Sequence, residues 1–193
     1  MRKLIMKMSI SVDGFVGSPN AESEWIFKSS DEASRAWSVE RIREAGLIVM
    51  GRKTFEVIAS YWPTAAGPFA APMNEIPKAV FTRNGFKASI LPNGALLPAA
   101  ASWADARVFD GDLADGMKKL KSEPGKPICA IGGAGFMRSL IATGLIDEYH
   151  LVTHPLAFGE GHAIFNGVAQ PLDLKLVDAK VFPGGIIAHT YRT

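Results

Sequence analysis

Short apolar segments alternate along this chain with segments of helical character. Leu4–Ser11 shows the apolar–polar alternation of a strand, and the turn residues Asp13-Gly14 follow it directly. Leu47–Met50 is a short continuous apolar run, which is typical of a buried strand. The pattern predicts strands at Leu4–Ser11, Leu47–Met50, Lys78–Thr82, Arg107–Phe109 and Pro127–Ile131.

The segments between these strands predict helices. Ser30-Asp31 supplies a helix start, and the apolar residues that follow form one face that runs to about Gly46. Two segments lack a clean period, so we expect an ordered loop over Tyr61–Pro77 and irregular chain over Asn84–Ser102, with one short strand near Leu96. The further predicted helices are Thr54–Ala59, Asp112–Lys121 with Asp112 as its cap, and Phe136–Ala142 ended by Gly144.

The C-terminal quarter of the chain is rich in predicted strands. They are Glu148–Thr153, Leu172–Phe182 and Ile186–Tyr191, and Pro183-Gly184-Gly185 joins the last two. Alternating strand–helix units followed by antiparallel strands predict an α/β fold with helices flanking a mixed sheet. No internal repeat or break in composition divides the chain, so residues 1–193 are expected to form a single domain.

Composition and charge narrow the class of protein. The chain has 193 residues, 48% of them hydrophobic and 21% charged, which is typical of a globular domain with a substantial core. A net charge of +2 without a basic stripe argues against nucleic acid as a partner. No window is long enough to span a membrane, and Lys7 interrupts the first apolar run, so we expect a soluble cytoplasmic protein.

Cysteine and histidine exclude two kinds of site. The single cysteine, Cys129, excludes an intrachain disulfide and a cysteine-based metal cluster. His150, His154, His162 and His189 lack the mutual spacing of metal ligands, so no metal is expected.

Two glycine-bearing turns carry the clearest chemical signal. Val49–Thr54 and Ala130–Gly135 each follow a predicted strand and precede a predicted helix. Backbone N–H groups at such a junction can converge on a phosphate, and glycine allows the ligand to approach the backbone closely. The second turn lacks the spacing of a dinucleotide fingerprint, so by itself it is as compatible with tight packing as with phosphate binding.

Basic residues favour the phosphate interpretation. Arg52 and Lys53 stand at a helix N-terminus, where positive charge is unfavourable unless an anion binds there. Thr82-Arg83 repeats the pattern after the next strand. Because ligands of open α/β sheets bind beyond the carboxyl ends of the strands, these three strand ends together predict a phosphorylated cofactor.

The chain also resembles the dihydrofolate-reductase-like superfamily in the order of its motifs, which are Ser11–Gly17, Ser23–Ile26, Val49–Glu56, Phe81–Arg83, Ile131–Gly135 and Leu145–Glu148. Within that superfamily it is similar, over essentially its whole length, to the C-terminal reductase domain of the bacterial bifunctional deaminase-reductase of riboflavin biosynthesis. The resemblance implies a three-layer α/β/α fold whose mixed central sheet has an antiparallel C-terminal part. It also implies NADPH as the hydride donor.

The resemblance further implies which residues hold NADPH. Gly51, Arg52, Lys53 and Thr54 would bind the cofactor phosphates; Thr82 and Arg83, with Phe81 beside them, would lie near the adenosine 2′-phosphate; Ile131, Gly132, Gly133, Ala134 and Gly135 would approach the pyrophosphate and the nicotinamide; and Val16 and Gly17 would line the nicotinamide pocket.

The substrate half departs from the riboflavin reductases. Phe15 stands where they carry a basic residue, and Phe55–Pro63 lacks their Asp-Asp-Pro segment and following arginine. Neither His-x-Glu nor Pro-Cys-x-x-Cys occurs, so we expect a stand-alone reductase without a deaminase half. We predict reduction of a small nitrogen heterocycle, pterin-like or pyrimidine-like. A 5-amino-6-(5-phosphoribosylamino)uracil reductase and a non-catalytic nucleotide-binding protein are the alternatives.

Three residues are candidates for the substrate side. Asp31 matches in position the carboxylate of true dihydrofolate reductases, which implies a catalytic role, but aspartate is also a preferred helix cap. Trp25 either stacks on the heterocycle or closes its loop against the core. Thr153 matches a substrate-side threonine of the reductases, although threonine is common in strands.

The partners follow from the same features. We expect a small heterocyclic substrate and neither nucleic acid nor a membrane. The apolar stretch Ala65–Met73, predicted to be exposed, and the strands near the C-terminus that would form a sheet edge favour a homodimer.

Overall fold

The sheet at the centre of the computed structural model has eight strands in the order β4-β3-β2-β5-β1-β6-β8-β7. The structure describes residues 1–18, 23–85 and 100–193. From β4 to β6 neighbouring strands are parallel, whereas β8 is antiparallel to both β6 and β7. The strands are β1 Leu4–Ser11, β2 Leu47–Gly51, β3 Lys78–Phe81, β4 Arg107–Phe109, β5 Ile128–Ile131, β6 Glu148–His154, β7 Lys175–Val181 and β8 Ile187–Arg192.

Helices cover both faces of this sheet. They are α1 Glu24–Ser29, α2 Glu32–Arg43, α3 Arg52–Ala59, α4 Ala70–Glu75, α5 Ala101–Ala104, α6 Leu113–Ser122 and α7 Ala134–Ala142, with a 3₁₀ turn at Trp62–Thr64. The predicted α/β fold, with helices flanking a mixed sheet and antiparallel strands at the C-terminus, is therefore confirmed. None of the helices in the described ranges combines the length and the apolar character needed to cross a membrane.

Alternation along the strands divides the core between the two faces. On one face Leu4 and Met6 pack with Met117, Leu120 and the other apolar residues of α6 and α7. On the other face the core has two parts, one under α3, α4 and α5 and one under α2. Strands buried on both faces are expected in a parallel sheet, because the crossover helices cover it on each side.

Caps and strand boundaries agree closely with the sequence predictions. Asp31 caps α2 and Asp112 caps α6, each by accepting a backbone N–H from the first turn of its helix. Gly144 has φ of +66°, as expected of the residue that ends α7. Helix α1 occupies a segment that was predicted only as a loop. The strand predicted near Leu96 lies outside the described residues.

The prediction of a loop without regular structure over Tyr61–Pro77 is wrong, because this segment contains the 3₁₀ turn and α4. The prediction that Ala65–Met73 is exposed is also wrong in part. Met73 is 2% exposed and packs in the core, while Phe69 packs against the same cluster. Asn74 explains the order of this segment, since its side chain donates to the carbonyl of Trp62 at 2.9 Å and accepts from Nε1 of Trp103 at 2.8 Å.

Candidate active site

The carboxyl ends of the six parallel strands meet at one edge of the sheet. Both glycine turns lie at this edge, because β2 ends at Gly51 and β5 ends at Ile131. The order of the strands places β5 between β2 and β1. Crossover connections leave the neighbouring strands β2 and β5 in opposite directions, toward β3 and β6 respectively. Such switch points are where open α/β sheets bind ligands.

The two glycine turns pack directly against each other. Gly132 and Gly133 have φ of +67° and +73°, a backbone region that favours glycine. A Cβ at Gly132 would lie 2.6 Å from Cγ2 of Thr54, and one at Gly133 would lie 2.8 Å from Oγ1 of Thr54. Glycine is therefore required here by packing. The same packing places the N-termini of α3 and α7 side by side.

These two helix starts leave backbone donors for a ligand. Gly51 caps α3 and Gly133 caps α7, and neither helix receives a hydrogen bond from a capping side chain. Adjacent helix N-termini with uncapped N–H groups and close glycine backbones suit the pyrophosphate of a dinucleotide. We name the two adjacent starts of α3 and α7 the cradle. Ala134 and Gly135 form the first turn of α7, so their backbone belongs to the cradle.

Phe81 is the last residue of β3, and its side chain packs in the hydrophobic core. Its ring stacks on Phe109 at 5.0 Å and on Phe136 at 5.7 Å between ring centroids, and it is 7% exposed. A Cβ at Gly51 would lie 2.9 Å from Cβ of Phe136, so the stack also explains the glycine. The side chain of Phe81 is therefore a packing element.

The predicted basic residues lie on the solvent side of this edge. Arg52 and Lys53 are exposed in the first turn of α3, and Nε of Arg52 is 2.7 Å from Oε1 of Glu56. Arg83 is also exposed, directly after Thr82, whose backbone N–H donates to the carbonyl of Phe109 at 2.9 Å. These cations surround the carboxyl edge without contacting the cleft described next.

A cleft of about 340 Å³ opens beside the cradle, on the face of the sheet covered by α2, α3 and α4. Val16, Thr54, Ile131 and Gly132 are the predicted cofactor residues that line it. Gly17 adjoins it through a backbone pairing in which its carbonyl accepts from His162 N at 3.1 Å. Most of the wall is apolar and consists of Ile26, Phe27, Ile42, Ile58, Trp62, Phe69, Met73, Val152 and Ile186.

Lys7 is the functional candidate that the sequence analysis missed. It lies in β1 at the centre of the sheet, in register with Ile131 on one side and His150 on the other, and its side chain lines the cleft. Within the described ranges it makes no hydrogen bond or ion pair. Burial lowers its pKa. The sequence did contain a signal for Lys7, because a charged residue at an inward-facing position of an apolar strand is unusual.

The described residues that line the cleft include basic side chains and no carboxylate. Lys7, Arg35 and His154 are the ionisable side chains among the described residues that line it. Burial lowers the pKa of His154 to about 4, so this imidazole is neutral near pH 7. Its Nδ1 lies 2.7 Å from Oγ of Ser29. An acceptor or an anion fits this cleft better than a cationic ring.

The three substrate-side candidates lie outside the lining of the cleft. Asp31 is turned to the backbone, because Oδ1 accepts from Ser34 N and Oδ2 accepts from Gly184 N, each at 2.7 Å. These bonds lower the pKa of Asp31. The cap of α2 uses Oδ1 and the turn between β7 and β8 uses Oδ2, so both carboxylate oxygens have structural partners. We therefore do not retain Asp31 as the catalytic carboxylate.

Trp25 and Thr153 are also placed by packing. The indole of Trp25 makes edge contacts with His154 at 4.9 Å and with Phe158 at 5.4 Å, so it closes the α1 segment against the core. Thr153 alternates with Val152 and His154, whose side chains line the cleft. Because successive strand residues point to opposite faces, Thr153 is directed to the other face of the sheet.

Comparisons with known proteins agree with this architecture. The family model of the RibD C-terminal domain matches residues 2–188. The chain is 28% identical over 191 residues to the uncharacterized protein YyaP of Bacillus subtilis (strain 168), covering 98% of this chain and 94% of that protein.

Two solved structures share the fold at low sequence identity. One is a protein of Shewanella sp. PV-4 named for riboflavin biosynthesis, with a TM-score of 0.74, 18% identity and 98% of each chain covered. The other is a diaminohydroxyphosphoribosylaminopyrimidine deaminase/5-amino-6-(5-phosphoribosylamino)uracil reductase of Thermotoga maritima, with a TM-score of 0.69 and 15% identity. That match covers 99% of this chain and 56% of the Thermotoga chain.

Proposed function

The chain belongs to the RibD C-terminal domain family, and we propose that it is an NADPH-dependent reductase of a small nitrogen heterocycle. The observation that carries the proposal is one continuous site at the carboxyl edge. There, two uncapped helix N-termini adjoin an apolar cleft that contains Lys7. The family and its reductase-named relative support an oxidoreductase, and the cradle supports a dinucleotide as its cofactor.

The cofactor half uses the backbone more than side chains. N–H groups of Arg52–Thr54 and Gly133–Gly135 would hold the pyrophosphate at the two helix starts. Arg83 and Arg52 are exposed cations from which a 2′-phosphate could receive charge-assisted hydrogen bonds. Val16 and Ile131 would then contact the nicotinamide, since both line the cleft beside the cradle. NADPH, when bound, supplies the hydride.

The substrate half would use the apolar walls and Lys7. Trp62, Phe69 and Ile58 form flat apolar surface that suits an aromatic ring and excludes water from it. The Lys7 ammonium has three donors and no partner among the described residues, so it can donate to a carbonyl oxygen or a ring nitrogen of the substrate. Its charge would stabilise the negative charge that develops on the substrate as the substrate accepts the hydride.

This donor set favours a pyrimidine-like substrate over a pterin. A carboxylate can accept from both N–H groups of the amino-pyrimidine edge of a pterin, and no carboxylate lines the described cleft. A uracil-like ring instead presents carbonyl oxygens to Lys7. The riboflavin-pathway uracil reductase is therefore the second candidate function, and Arg35, which lines the cleft, is the cation that would bind its substrate phosphate.

Nucleotide titration tests the cofactor half first. Trp62 lines the cleft, so its fluorescence is expected to change when NADPH binds. We expect tighter binding of NADPH than of NADH, and a loss of that preference in Arg83→Ala. Arg43→Ala is the matched control, because Arg43 is exposed in the last turn of α2, at the opposite edge of the sheet. Failure of both nucleotides to bind would overturn the proposal.

A substrate panel tests the chemical half. NADPH oxidation is followed with dihydropterins, with uracils that carry amino groups, and with the phosphoribosylamino uracil of the second candidate. Turnover of an amino-uracil without a phosphate supports the proposed function, whereas turnover of the phosphorylated compound alone supports the second candidate. Tight NADPH binding with no turnover of any compound would favour a non-catalytic nucleotide-binding protein.

A further inference from the structure

His154 carries a buried ring nitrogen that the described part of the chain leaves unpaired. The residue ends β6, is 1% exposed, and has a side chain that lines the cleft. Its Nδ1 lies 2.7 Å from Oγ of Ser29, whereas its Nε2 has no hydrogen-bond partner among the described residues. Buried polar atoms rarely stay unpaired, so this nitrogen at the wall of a cleft indicates a group that enters the cleft and pairs with it.

Ser29 determines which nitrogen of His154 carries the hydrogen. The single hydroxyl hydrogen of Ser29 is donated to the carbonyl of Trp25 at 3.0 Å, one turn earlier in α1. Oγ of Ser29 is therefore the acceptor in its contact with the imidazole, and Nδ1 of His154 is the donor. Because a neutral imidazole has one donor and one acceptor nitrogen, Nε2 keeps a free lone pair.

The imidazole keeps this form near neutral pH. Burial and, to a smaller extent, the positive charge of Lys7 lower the pKa of His154 to about 4. Nε2 is therefore unprotonated near pH 7, and it can accept a hydrogen bond but cannot donate one. Lys7, which lines the same cleft, offers donors and no acceptor.

The neighbouring indole does not supply the missing partner. Trp25 contacts the ring of His154 edge-on, with 4.9 Å between the ring centroids. Its own Nε1 is also buried without a partner in the described ranges, so the contact contains no hydrogen bond between the two side chains. Trp25 thus covers one side of the imidazole, and Nε2 stays available to a ligand.

We propose that Nε2 of His154 accepts a hydrogen bond from a ring N–H of the substrate, next to the carbonyl oxygen to which Lys7 donates. The two side chains together match a ring edge on which N–H and C=O are neighbours, as in a lactam or an imide. A ring whose nitrogen carries a methyl group at that position leaves Nε2 unpaired and binds more weakly. The inference rests on the proposed function, because it takes the cleft as the site of the heterocycle.

NMR of the imidazole nitrogens tests this assignment without turnover, and the signals that disappear in His154→Asn identify the residue. At pH 7 the free protein should show a protonated Nδ1 and an unprotonated Nε2. Saturation with 5,6-diaminouracil, an amino-uracil of the panel, should move the Nε2 signal toward the protonated value. A protonated Nε2 in the free protein would overturn the inference. So would an Nε2 signal that stays in place, or failure of this uracil to bind up to its solubility limit.

Methylation of the probe and two variants test the selectivity, with calorimetry as the measure of affinity. Wild-type protein should bind the N1-methyl or the N3-methyl analogue about tenfold to 100-fold more weakly than the parent uracil. His154→Asn keeps a donor for Ser29 and removes the acceptor, so this preference should disappear. His154→Gln is the matched control, because its Oε1 can replace Nε2 as an acceptor and should retain part of the preference.

Thermal melting shows that both variants fold. Equal affinity of the wild type for all three uracils would contradict the inference. Equal effects of the two substitutions would assign His154 a packing role and would also overturn it.

The outcomes separate this inference from the proposed function. NADPH oxidation by the amino-uracil without a change at Nε2 would sustain the proposed function and overturn the inference. A change at Nε2 in protein that binds the amino-uracil but neither nucleotide would support the inference and overturn the proposed function. A change caused by NADPH alone, to which the amino-uracil adds nothing, would assign Nε2 to the cofactor and overturn the inference.

Discussion

Thr54 and Gly132 lie so close that a Cβ on the glycine would stand 2.6 Å from Cγ2 of the threonine. This contact joins the turn after β2 to the turn after β5, and thereby places the N-termini of α3 and α7 next to each other. The glycine that a phosphate site would need is thus also required by the fold itself. The two requirements can be separated by experiment.

Gly132→Ala is expected to destabilise the protein by about 1–3 kcal/mol, because alanine would be strained at φ of +67° and would clash with Thr54. Combining it with Thr54→Ser removes Cγ2 and should recover part of the loss. Gly135→Ala is the control, since no atom lies within 4 Å of its Cβ position and its φ is not positive. Urea unfolding measures all three variants, and equal effects at Gly132 and Gly135 would contradict the packing argument.

Lys7→Met is expected to separate activity from stability. Methionine keeps the length of the side chain and removes a half-buried ammonium that has no partner among the described residues, so the free energy of unfolding should rise by about 1–2 kcal/mol. Turnover of the substrate found in the panel should fall by about 100-fold or more, mainly in kcat. Lys7→Arg keeps a donor and should retain part of the activity. Unchanged turnover in Lys7→Met would remove Lys7 from the mechanism.

Lys78 predicts a pH-dependent stability. Its ammonium is buried, donates to the carbonyl of Ile76 and to Oγ of Ser102, and lies 4.3 Å from the ring centroid of Trp103. Burial lowers its pKa from 10.5 to about 7. Between these values the unfolded chain binds the proton and the folded chain does not. Stability should therefore rise with pH across this window, with a slope from this group of up to about 1.4 kcal/mol per pH unit.

Comparing the wild type with Lys78→Met separates the pH dependence of stability that comes from Lys78 from that of other groups that titrate in the same range. The variant should lose the rise between pH 7 and pH 10.5, so its advantage over the wild type is largest at the acidic end of the window. Lys119→Met, at an exposed position of α6, should follow the wild type. Parallel curves for wild type and Lys78→Met would show that the folded protein keeps Lys78 charged.

Substitutions of Asp31 distinguish a role in capping α2 from a catalytic role. Asp31→Asn keeps an oxygen that can accept from Ser34 N, so it should retain turnover within about twofold of the wild type if the residue only caps α2. Asp31→Ala should lower the melting temperature while leaving the affinity for NADPH unchanged. A large loss of kcat in Asp31→Asn, with a normal melting temperature, would return a catalytic role to this carboxylate.

Local patterns in the sequence were sufficient for most of the elements. The alternation of Leu4–Ser11 predicted β1 with the observed bounds, and Asp31 and Asp112 predicted two helix starts. Periodicity and capping are interactions between residues close in sequence, so they can be read without a fold. Helix α4 was missed because its order comes from Asn74, which bonds to residues distant in sequence.

The sequence by itself determined the class of fold and the edge of the sheet at which the glycine turns would meet. Only the tertiary structure decided which side chains share the cleft. It placed Lys7 inside, turned Asp31 to the backbone of Gly184, and directed Thr153 to the opposite face of the sheet. The physical reason is that a site is assembled from strand register and helix packing, which bring together residues that no local pattern relates.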